Sequence, residues 1–189
     1  MSALTKQAIF SSFLKFLKEK PFDKITVKDL VDDCGINRKT FYYYFSDIYA
    51  MADEMFRERI DNIRKNFSPE EHTWDDVIMD ACKYMHENKA VTLHVFRSVG
   101  FEKMNDLIFE TCMECIPPFM KKTAEGLSVG DEDMNLLLNY SSVTVSGVVT
   151  RWIRDGMKTF PEEMIERFKK IMSGTMRLSL ENAAKLNTK

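Results

Sequence analysis

The sequence predicts an all-α fold of about nine helices, with a small N-terminal three-helix unit followed by a larger helical unit. Glycine (7) and proline (5) are both scarce among the 189 residues, which leaves room for long helices. Hydrophobic residues make up 44% of the chain, enough for a packed core. Apolar residues recur at three- and four-residue spacing, and no segment shows a convincing strand pattern.

The first 46 residues predict three helices joined by short turns. Pro21 ends the first helix, whose phenylalanines and isoleucine lie on one face. Thr26 is the predicted N-cap of a short second helix, and Gly35 ends it because glycine readily adopts a left-handed backbone. Asn37 is the predicted cap of a third helix. This order is the helix-turn-helix layout, with the first helix covering two helices too short to bury a core alone.

The rest of the chain, residues 47–189, predicts a second helical domain. Ser46 is a plausible cap for its first long helix, and glycines and prolines mark the later boundaries. The predicted helices span residues 48–67, 74–88, 90–99, 102–115, 132–155 and 161–184.

The third helix has two different faces when its residues are placed at 100° intervals. Phe41 and Phe45 point inward, whereas Lys39 and Tyr43 point outward. An outward face of lysine, threonine and tyrosine suits contact with nucleic acid, because tyrosine can place its ring on a sugar or a thymine methyl and still bond a phosphate. The alternative is a solvated helix whose tyrosines pack on a neighbouring element.

The charge distribution is consistent with an N-terminal nucleic-acid module. The whole chain has a formal net charge of −2, which argues against a general nucleic-acid coat. Residues 1–50 are slightly positive, with eight basic and six acidic side chains, and the remainder is negative. A basic start on an acidic body fits a DNA-binding segment attached to a larger regulatory unit.

The segment from Thr26 to Phe45, TVKDLVDDCGINRKTFYYYF, resembles the signature of TetR-type transcriptional regulators. That family carries the pattern T-V-x-x-I-A-x-x-A-G-V-S-x-x-T-L/F-Y-x-H-F at this place. The segment from Gly147 to Met157 is also similar to the penultimate helix of a subgroup near the regulators of dihydroxyacetone utilisation.

The resemblance implies a ligand-responsive regulator, most often a repressor, that binds a palindromic operator in double-stranded DNA as a homodimer. The family usually has histidine where Tyr44 stands and a phosphate-contacting lysine where Ile48 stands, so we expect a weaker salt-dependent affinity without a change in the bases that are read. The DNA-facing positions that the resemblance implies are Thr26, Lys28, Arg38, Lys39, Thr40, Tyr42, Tyr43 and Tyr44.

The last two long helices are the predicted dimer interface, paired as a four-helix bundle across a two-fold axis. Small residues such as Ser146 and Gly147 permit a close approach of helices, although the same stripes can also be intrachain core. The candidate interface residues are Val145, Val148, Val149, Trp152, Phe168, Ile171, Met172 and Thr175.

An effector pocket in the second domain is predicted from a cluster of methionine and aromatic residues. Such a cluster is more often plain core, and a protein effector could replace a small molecule. The candidate lining residues are Phe96, Phe101, Met104, Phe109, Met113, Tyr140 and Thr144.

Other functions are not favoured by the sequence. Cys112 and Cys115 form a lone C-x-x-C with no second pair, and Cys82 with His86 and His94 is too small a set, so we expect no metal and no cofactor. The start of the chain shows no secretory signal and no apolar run reaches 18 residues, which predicts a cytoplasmic protein with reduced thiols and no membrane contact. No catalytic motif is present, so the competing interpretations are an all-α enzyme and a helical adaptor that binds protein through the tyrosine face.

Overall fold

A computed structural model describes residues 2–158 and 161–186, with side chains assigned for residues 4–158, 166–167 and 169–186. The fold is all-α, as predicted. A short 3-10 turn, Phe22–Lys24, links the first two helices. The helices are α1 (Ser2–Glu19), α2 (Val27–Cys34), α3 (Arg38–Tyr44), α4 (Ile48–Asn66), α5 (Trp74–Glu87), α6 (Lys89–Thr123), α7 (Asp131–Arg154), α8 (Pro161–Met172) and α9 (Thr175–Leu186).

The predicted ends of α2 and α3 are confirmed. The Thr26 hydroxyl accepts the N–H of Asp29, and the Asp29 carboxylate accepts the N–H of Thr26 at 2.8 Å, which together form a capping box. Gly35 ends α2 with a φ of 64°. The Asn37 side chain then accepts the N–H of Thr40 at 2.9 Å. These local bonds set the turn between the two short helices.

Two other boundaries differ from the prediction. Asp47, and not Ser46, caps α4, because its carboxylate accepts the N–H of Ala50 at 2.8 Å and a negative charge is favourable at a helix N-terminus. The long final helix predicted over residues 161–184 is two helices. Gly174 has a φ of 79°, a conformation that interrupts a right-handed helix and separates α8 from α9.

The predicted helix end at residue 115, just before Pro117-Pro118, is wrong, since both prolines lie inside α6. A proline in a helix interior costs about 3 kcal/mol, but its fixed φ is helical. Buried apolar side chains, each worth about 1.5–3 kcal/mol, offset this cost. Those beside the prolines are Ile116, Phe119 and Met120. The predicted boundary between residues 99 and 102 is confirmed, since the backbone of α6 is interrupted at Gly100, with φ 82° and ψ 175°.

One hydrophobic cluster contains residues of both the N-terminal helices and the later helices. We call residues 2–46 the head and residues 47–158 with 161–186 the body. The cluster begins with Ile9, Phe13 and Leu17 of α1 and continues to Val95 in α6 and Ile153 in α7. Within the body, the contact between α6 and α7 is the most extensive of any helix pair. The head is therefore packed directly on the first part of α6.

Across residues 2–158 and 161–186, no helix combines the length and the apolar character that a membrane crossing needs.

Candidate nucleic-acid interface

The inner face of α3 is held by aromatic packing. Phe41 and Phe45 are buried, as the helical spacing predicted, with 0% and 3% of their surfaces exposed. The Phe45 ring lies 5.7 Å from that of Phe41 and 5.8 Å from that of Phe10 in α1, measured between centroids. Aromatic pairs at these separations favour defined ring orientations. The position of α3 on α1 therefore depends on the two phenylalanines.

The outer face of α3 is open. The side chains of Arg38 and Lys39 are exposed, and Tyr42 and Tyr43 expose 55% and 81% of their surfaces. The Tyr42 ring lies edge-on to the buried Phe41 ring, 5.5 Å away between centroids. The Tyr43 ring lies edge-on to the half-buried Tyr44 ring at 5.0 Å. Two cations and two oriented phenol groups thus share one surface, which suits a polyanion with apolar base edges.

Tyr44 is half-buried and lies under a lysine of α1. The Lys6 ammonium is 5.9 Å from the centroid of the Tyr44 ring and 5.6 Å from that of Phe45. The same ammonium forms an ion pair with Glu54 of α4. Lys6 therefore joins α1, α3 and α4. Sequence reasoning missed this contact because its residues are far apart in the chain and carry no local signal.

The predicted positions at the start of α2 differ in what they can offer. Lys28 is exposed, whereas the Thr26 hydroxyl donates to the Asp29 carboxylate at 2.9 Å and accepts the N–H of the same residue. The hydrogen bond from Lys20 and those from Thr26 lower the pKa of Asp29 to about 2. While this capping box is formed, the Thr26 hydroxyl has no hydrogen left to donate to a phosphate.

Thr40 is held in the same way as Thr26. Its hydroxyl lies 3.1 Å from the Asn37 side-chain oxygen and donates to it. Ile48, at the position where the family usually has lysine, is half-buried and packs against the core cluster. Exposed cations near this position in the chain include Arg38 and Lys39 of α3 and Lys28 of α2.

The predicted effector residues differ in exposure and surroundings. Met104 is buried and Phe96 packs against the main core cluster. Phe101 and Tyr140 are exposed, and the Phe101 ring lies 5.8 Å from the Arg154 guanidinium. The half-buried members of the set are Phe109, Met113 and Thr144.

The predicted dimer residues also divide between the core and the surface. Val149 and Trp152 are buried in the main cluster and Val145 packs against it. These side chains are already covered within the chain. The Phe168 side chain lies outside the described residues. The exposed members of the set are Val148, Ile171, Met172 and Thr175.

A different face of α7 is apolar and exposed. Leu136, Tyr140 and Val143 follow helical spacing, and each exposes at least 60% of its surface. Leu178 and Leu186 of α9 are also exposed. The spacing of the α7 residues is readable from the sequence, but periodicity alone does not say which of several apolar stripes the neighbouring helices cover.

The four cysteines are all thiols, and three of them are buried. All four cysteines are free, and burial raises the pKa of the Cys82 and Cys112 thiols to about 12. No group of three or more potential metal ligands occurs among the described residues.

Two family models match the chain. Residues 5–55 match the N-terminal model described as bacterial regulatory proteins, tetR family. Residues 72–174, more than half of the chain, match the model described as a transcriptional regulator C-terminal region of TetR proteins. The first match contains the whole helix-turn-helix segment and its exposed tyrosines.

Individual relatives agree with these matches. An uncharacterized HTH-type transcriptional regulator of Bacillus subtilis (strain 168), YvdT, is 29% identical over 80 residues, which cover 39% of this chain and 41% of that protein. The chain therefore aligns with less than half the length of this curated relative.

Solved structures share the fold. The dihydroxyacetone kinase operon activator DhaS superimposes with a TM-score of 0.76 at 13% identity, over 93% of this chain and 98% of that one. A TetR transcriptional regulator from Streptococcus agalactiae 2603V gives 0.62 at 17% identity, over 89% and 93%. The exposed α3 surface, the helix-turn-helix and the two family models lead to one conclusion: the chain belongs to the TetR family of DNA-binding transcriptional regulators, which are not enzymes.

Proposed function

We propose that this protein is a ligand-responsive repressor that binds a palindromic operator as a homodimer, with one head on each half-site. The DNA-binding domain is assigned to residues 1–46, and the effector-binding and dimerisation domain to residues 47–189. The observation that carries the proposal is the open α3 surface, where Tyr43 exposes 81% of its side chain beside exposed Lys39. A short helix entering one major groove reads a half-site, and two heads read a two-fold site.

The reading residues have separate roles in this proposal. Lys39 and Tyr43 lie on the side of α3 opposite the core and contact base edges in the major groove. Arg38 and Tyr44, at the edges of this face, contact the phosphates on either side, and Lys28 adds a phosphate contact from α2. Thr40 and Tyr42 flank the reading face. Thr26 contributes chiefly by holding the start of α2 through its capping box.

The homodimer is supported by the exposed apolar stripe on α7. Leu136, Tyr140 and Val143 lie at four- and three-residue spacing, and Gly147 continues the stripe with no bulky side chain. A second copy of this chain is the occupant that we assign, since two such stripes related by a two-fold axis cover each other. Val148, a member of the predicted interface set, is also exposed on α7.

The effector is supported by two buried hydroxyl groups on α7. Ser142 and Thr150 are fully buried, and their side-chain oxygens have no hydrogen-bond partner among the described residues. Leaving such a group unpaired costs about 1–3 kcal/mol. A small polar molecule bound within the body beside α7 would supply the missing partners.

Selection of DNA sites from a random pool tests the reading function. We expect an enriched palindrome whose half-sites lie about one helical turn, or a multiple of it, apart. Lys39→Ala and Tyr43→Ala should weaken binding to the selected site while leaving the melting temperature nearly unchanged. Failure of the folded protein to enrich any motif at low salt would overturn the proposal.

Sedimentation tests the homodimer. Val143→Asp should convert the protein to a monomer, because it places two carboxylates at an apolar two-fold contact. Leu4→Asp is the matched control, since Leu4 is an exposed leucine of α1 outside the stripe. A Val143→Asp protein that stays dimeric would remove this face from the interface.

The sign of regulation and the effector need separate measurements. A reporter gene behind the selected operator should be silenced by the protein; increased expression would instead indicate activation, the role stated in the name of DhaS.

Thr150→Val should raise the unfolding free energy of the ligand-free protein by about 1 kcal/mol by removing an unpaired hydroxyl. A destabilising effect would mean that this hydroxyl already has a partner.

A further inference from the structure

The C-terminal end of α1 lacks a backbone donor at a defined place. In an α-helix, each carbonyl accepts the N–H of the residue four positions later. The carbonyl of Phe16 is satisfied in this way by Lys20 at 2.9 Å. The next carbonyl, that of Leu17, would need the N–H of residue 21, but residue 21 is proline and has none. Leu17 therefore needs a donor from outside its own helix.

A histidine of the body supplies that donor. Nδ1 of His94 in α6 lies 2.7 Å from the Leu17 carbonyl oxygen, across 77 positions of sequence. Because a carbonyl only accepts, Nδ1 carries the hydrogen of this bond. The bond ends the first helix of the head with a side chain of the body.

A second contact lies one turn further along α6. The Ser98 hydroxyl donates to a carboxylate oxygen of Asp23 at 3.2 Å. The oxygen of the same hydroxyl accepts the backbone N–H of Asp23 at 3.4 Å. Asp23 belongs to the 3-10 turn that follows α1. His94 and Ser98 are four residues apart and so share one face of α6. The helical backbone is interrupted two residues later, at Gly100.

The first part of α6 is thus the main attachment of the head. The contact between α1 and α6 is more extensive than that between α1 and α4, although α4 is the covalent connection. Buried Leu17 and Phe22 of the head and Val95 of α6 belong to one core cluster, so apolar packing surrounds the two hydrogen-bonded contacts. The angle between head and body is set where these contacts lie.

We infer that His94 and Ser98 are positioning residues, which fix the head on the body and thereby set the half-site spacing that the dimer accepts. The inference rests on the proposed homodimer and deepens it. Neither side chain needs to touch DNA. A loosened head would still read a half-site, but the pair of heads would tolerate several separations between half-sites.

The experiment measures binding to operators of different spacing. The probes are the selected palindrome and versions with one or two base pairs inserted at its centre, each insertion rotating one half-site by about 34°. The wild-type homodimer should prefer the selected spacing over the longer versions by at least about tenfold. His94→Ala and Ser98→Ala should reduce that preference to within about threefold, while affinity for an isolated half-site stays unchanged.

Two variants separate positioning from general damage. His94→Asn retains an N–H bonded to Cγ, at the place of Nδ1, and should restore part of the spacing preference. Thr92→Val is the matched control in the same helix, because the Thr92 hydroxyl donates to carbonyls of the body, those of Met85 and Asn88. It should keep the wild-type spacing profile.

Hydrogen exchange provides a second measurement without DNA. Amides in the last turn of α1 and in the 3-10 turn should exchange faster in His94→Ala than in Thr92→Val. Wild-type spacing preference in both His94→Ala and Ser98→Ala, or unchanged exchange in the head, would overturn the inference. A wild-type protein that binds no palindrome would instead contradict the proposed function, and the exchange measurement would still decide the attachment of the head.

Discussion

Two aromatic residues of α3 have different surroundings, which predicts that their substitution changes the stability of the fold by very different amounts. Phe41→Ala removes a fully buried ring of α3 and should lower the unfolding free energy by about 3–5 kcal/mol. Tyr43→Ala removes a ring that is 81% exposed and should change it by less than about 0.5 kcal/mol. Urea unfolding of both variants measures the difference. Equal losses would show that Tyr43 also belongs to the core.

The outward residues of α3 serve recognition, whereas the inward ones serve stability. Tyr43 and Lys39 face solvent because the buried phenylalanines define the opposite side of a seven-residue helix. Since Lys39 is proposed to contact base edges, Lys39→Ala should lower affinity mainly at one base pair of the half-site. A fall of about 1 in the slope of log K against log salt would instead show that Lys39 contacts a phosphate.

At the scale of elements, charged caps hold the starts of the helices. The Asp29 carboxylate accepts from Lys20 and Thr26, and these bonds lower its pKa from 3.8 to about 2. Since the folded pKa is below the ordinary value, the charged group stabilises the fold above about pH 4 and this contribution is lost as pH falls toward 2. The start of α2 is therefore sensitive to acid.

Substitution of this cap gives a test with a defined pH window. Asp29→Asn should lower the unfolding free energy by about 1 kcal/mol at neutral pH, and its difference from the wild type should shrink below about pH 4. Asp61→Asn, which alters an exposed carboxylate of α4, is the control and should change stability by less than about 0.5 kcal/mol. A difference that is constant from pH 7 to pH 3 would contradict a role for the charge.

The break in α6 depends on one glycine. Gly100 has φ 82° and ψ 175°, a conformation nearly restricted to glycine, and an added Cβ would have nothing within 4 Å. Gly100→Ala should therefore cost about 1–3 kcal/mol through backbone strain alone. Thermal unfolding measures this loss.

Gly147 is the matched control for Gly100, because it has helical backbone and equally open surroundings within the chain. Gly147→Ala should raise the stability of the monomer by about 0.5–1 kcal/mol. A loss at Gly147 in the dimer would indicate that a second chain approaches α7 there.

At the scale of the whole molecule, the shared core makes the head and the body depend on each other. Three of the four thiols are buried in the body, and burial raises the pKa of Cys115 to about 11 and those of Cys82 and Cys112 to about 12. Cys34 is half-buried, and burial also raises its pKa. The reactive thiolate form is thus suppressed at all four positions.

Thiol labelling should accordingly report unfolding of the whole chain. A disulfide reagent at pH 8 should label at most Cys34 in the native protein, and slowly, whereas all four thiols should react in denaturant. The remaining three should become reactive together across the unfolding transition. Rapid labelling of two or more thiols in native protein would show that the body opens locally.

Much of the head could be predicted from the sequence because its signals are local. Thr26, Gly35 and Asn37 act on backbone groups within a few residues, so the ends of α2 and α3 follow from residue types alone. The inward direction of Phe41 and Phe45 follows from helical spacing in the same way. The body was harder to predict, since packing overrides a local breaker such as Pro117.

The sequence by itself determined the all-α class, the helix-turn-helix and the side of α3 that faces outward. Only the tertiary structure decided that Val149 and Trp152 are core while Tyr140 is surface, and that His94 completes the end of α1. The physical reason is the distance along the chain over which each signal acts. Caps and periodicity act within one or two turns of a helix, whereas burial and contacts between distant residues depend on how the helices pack against one another.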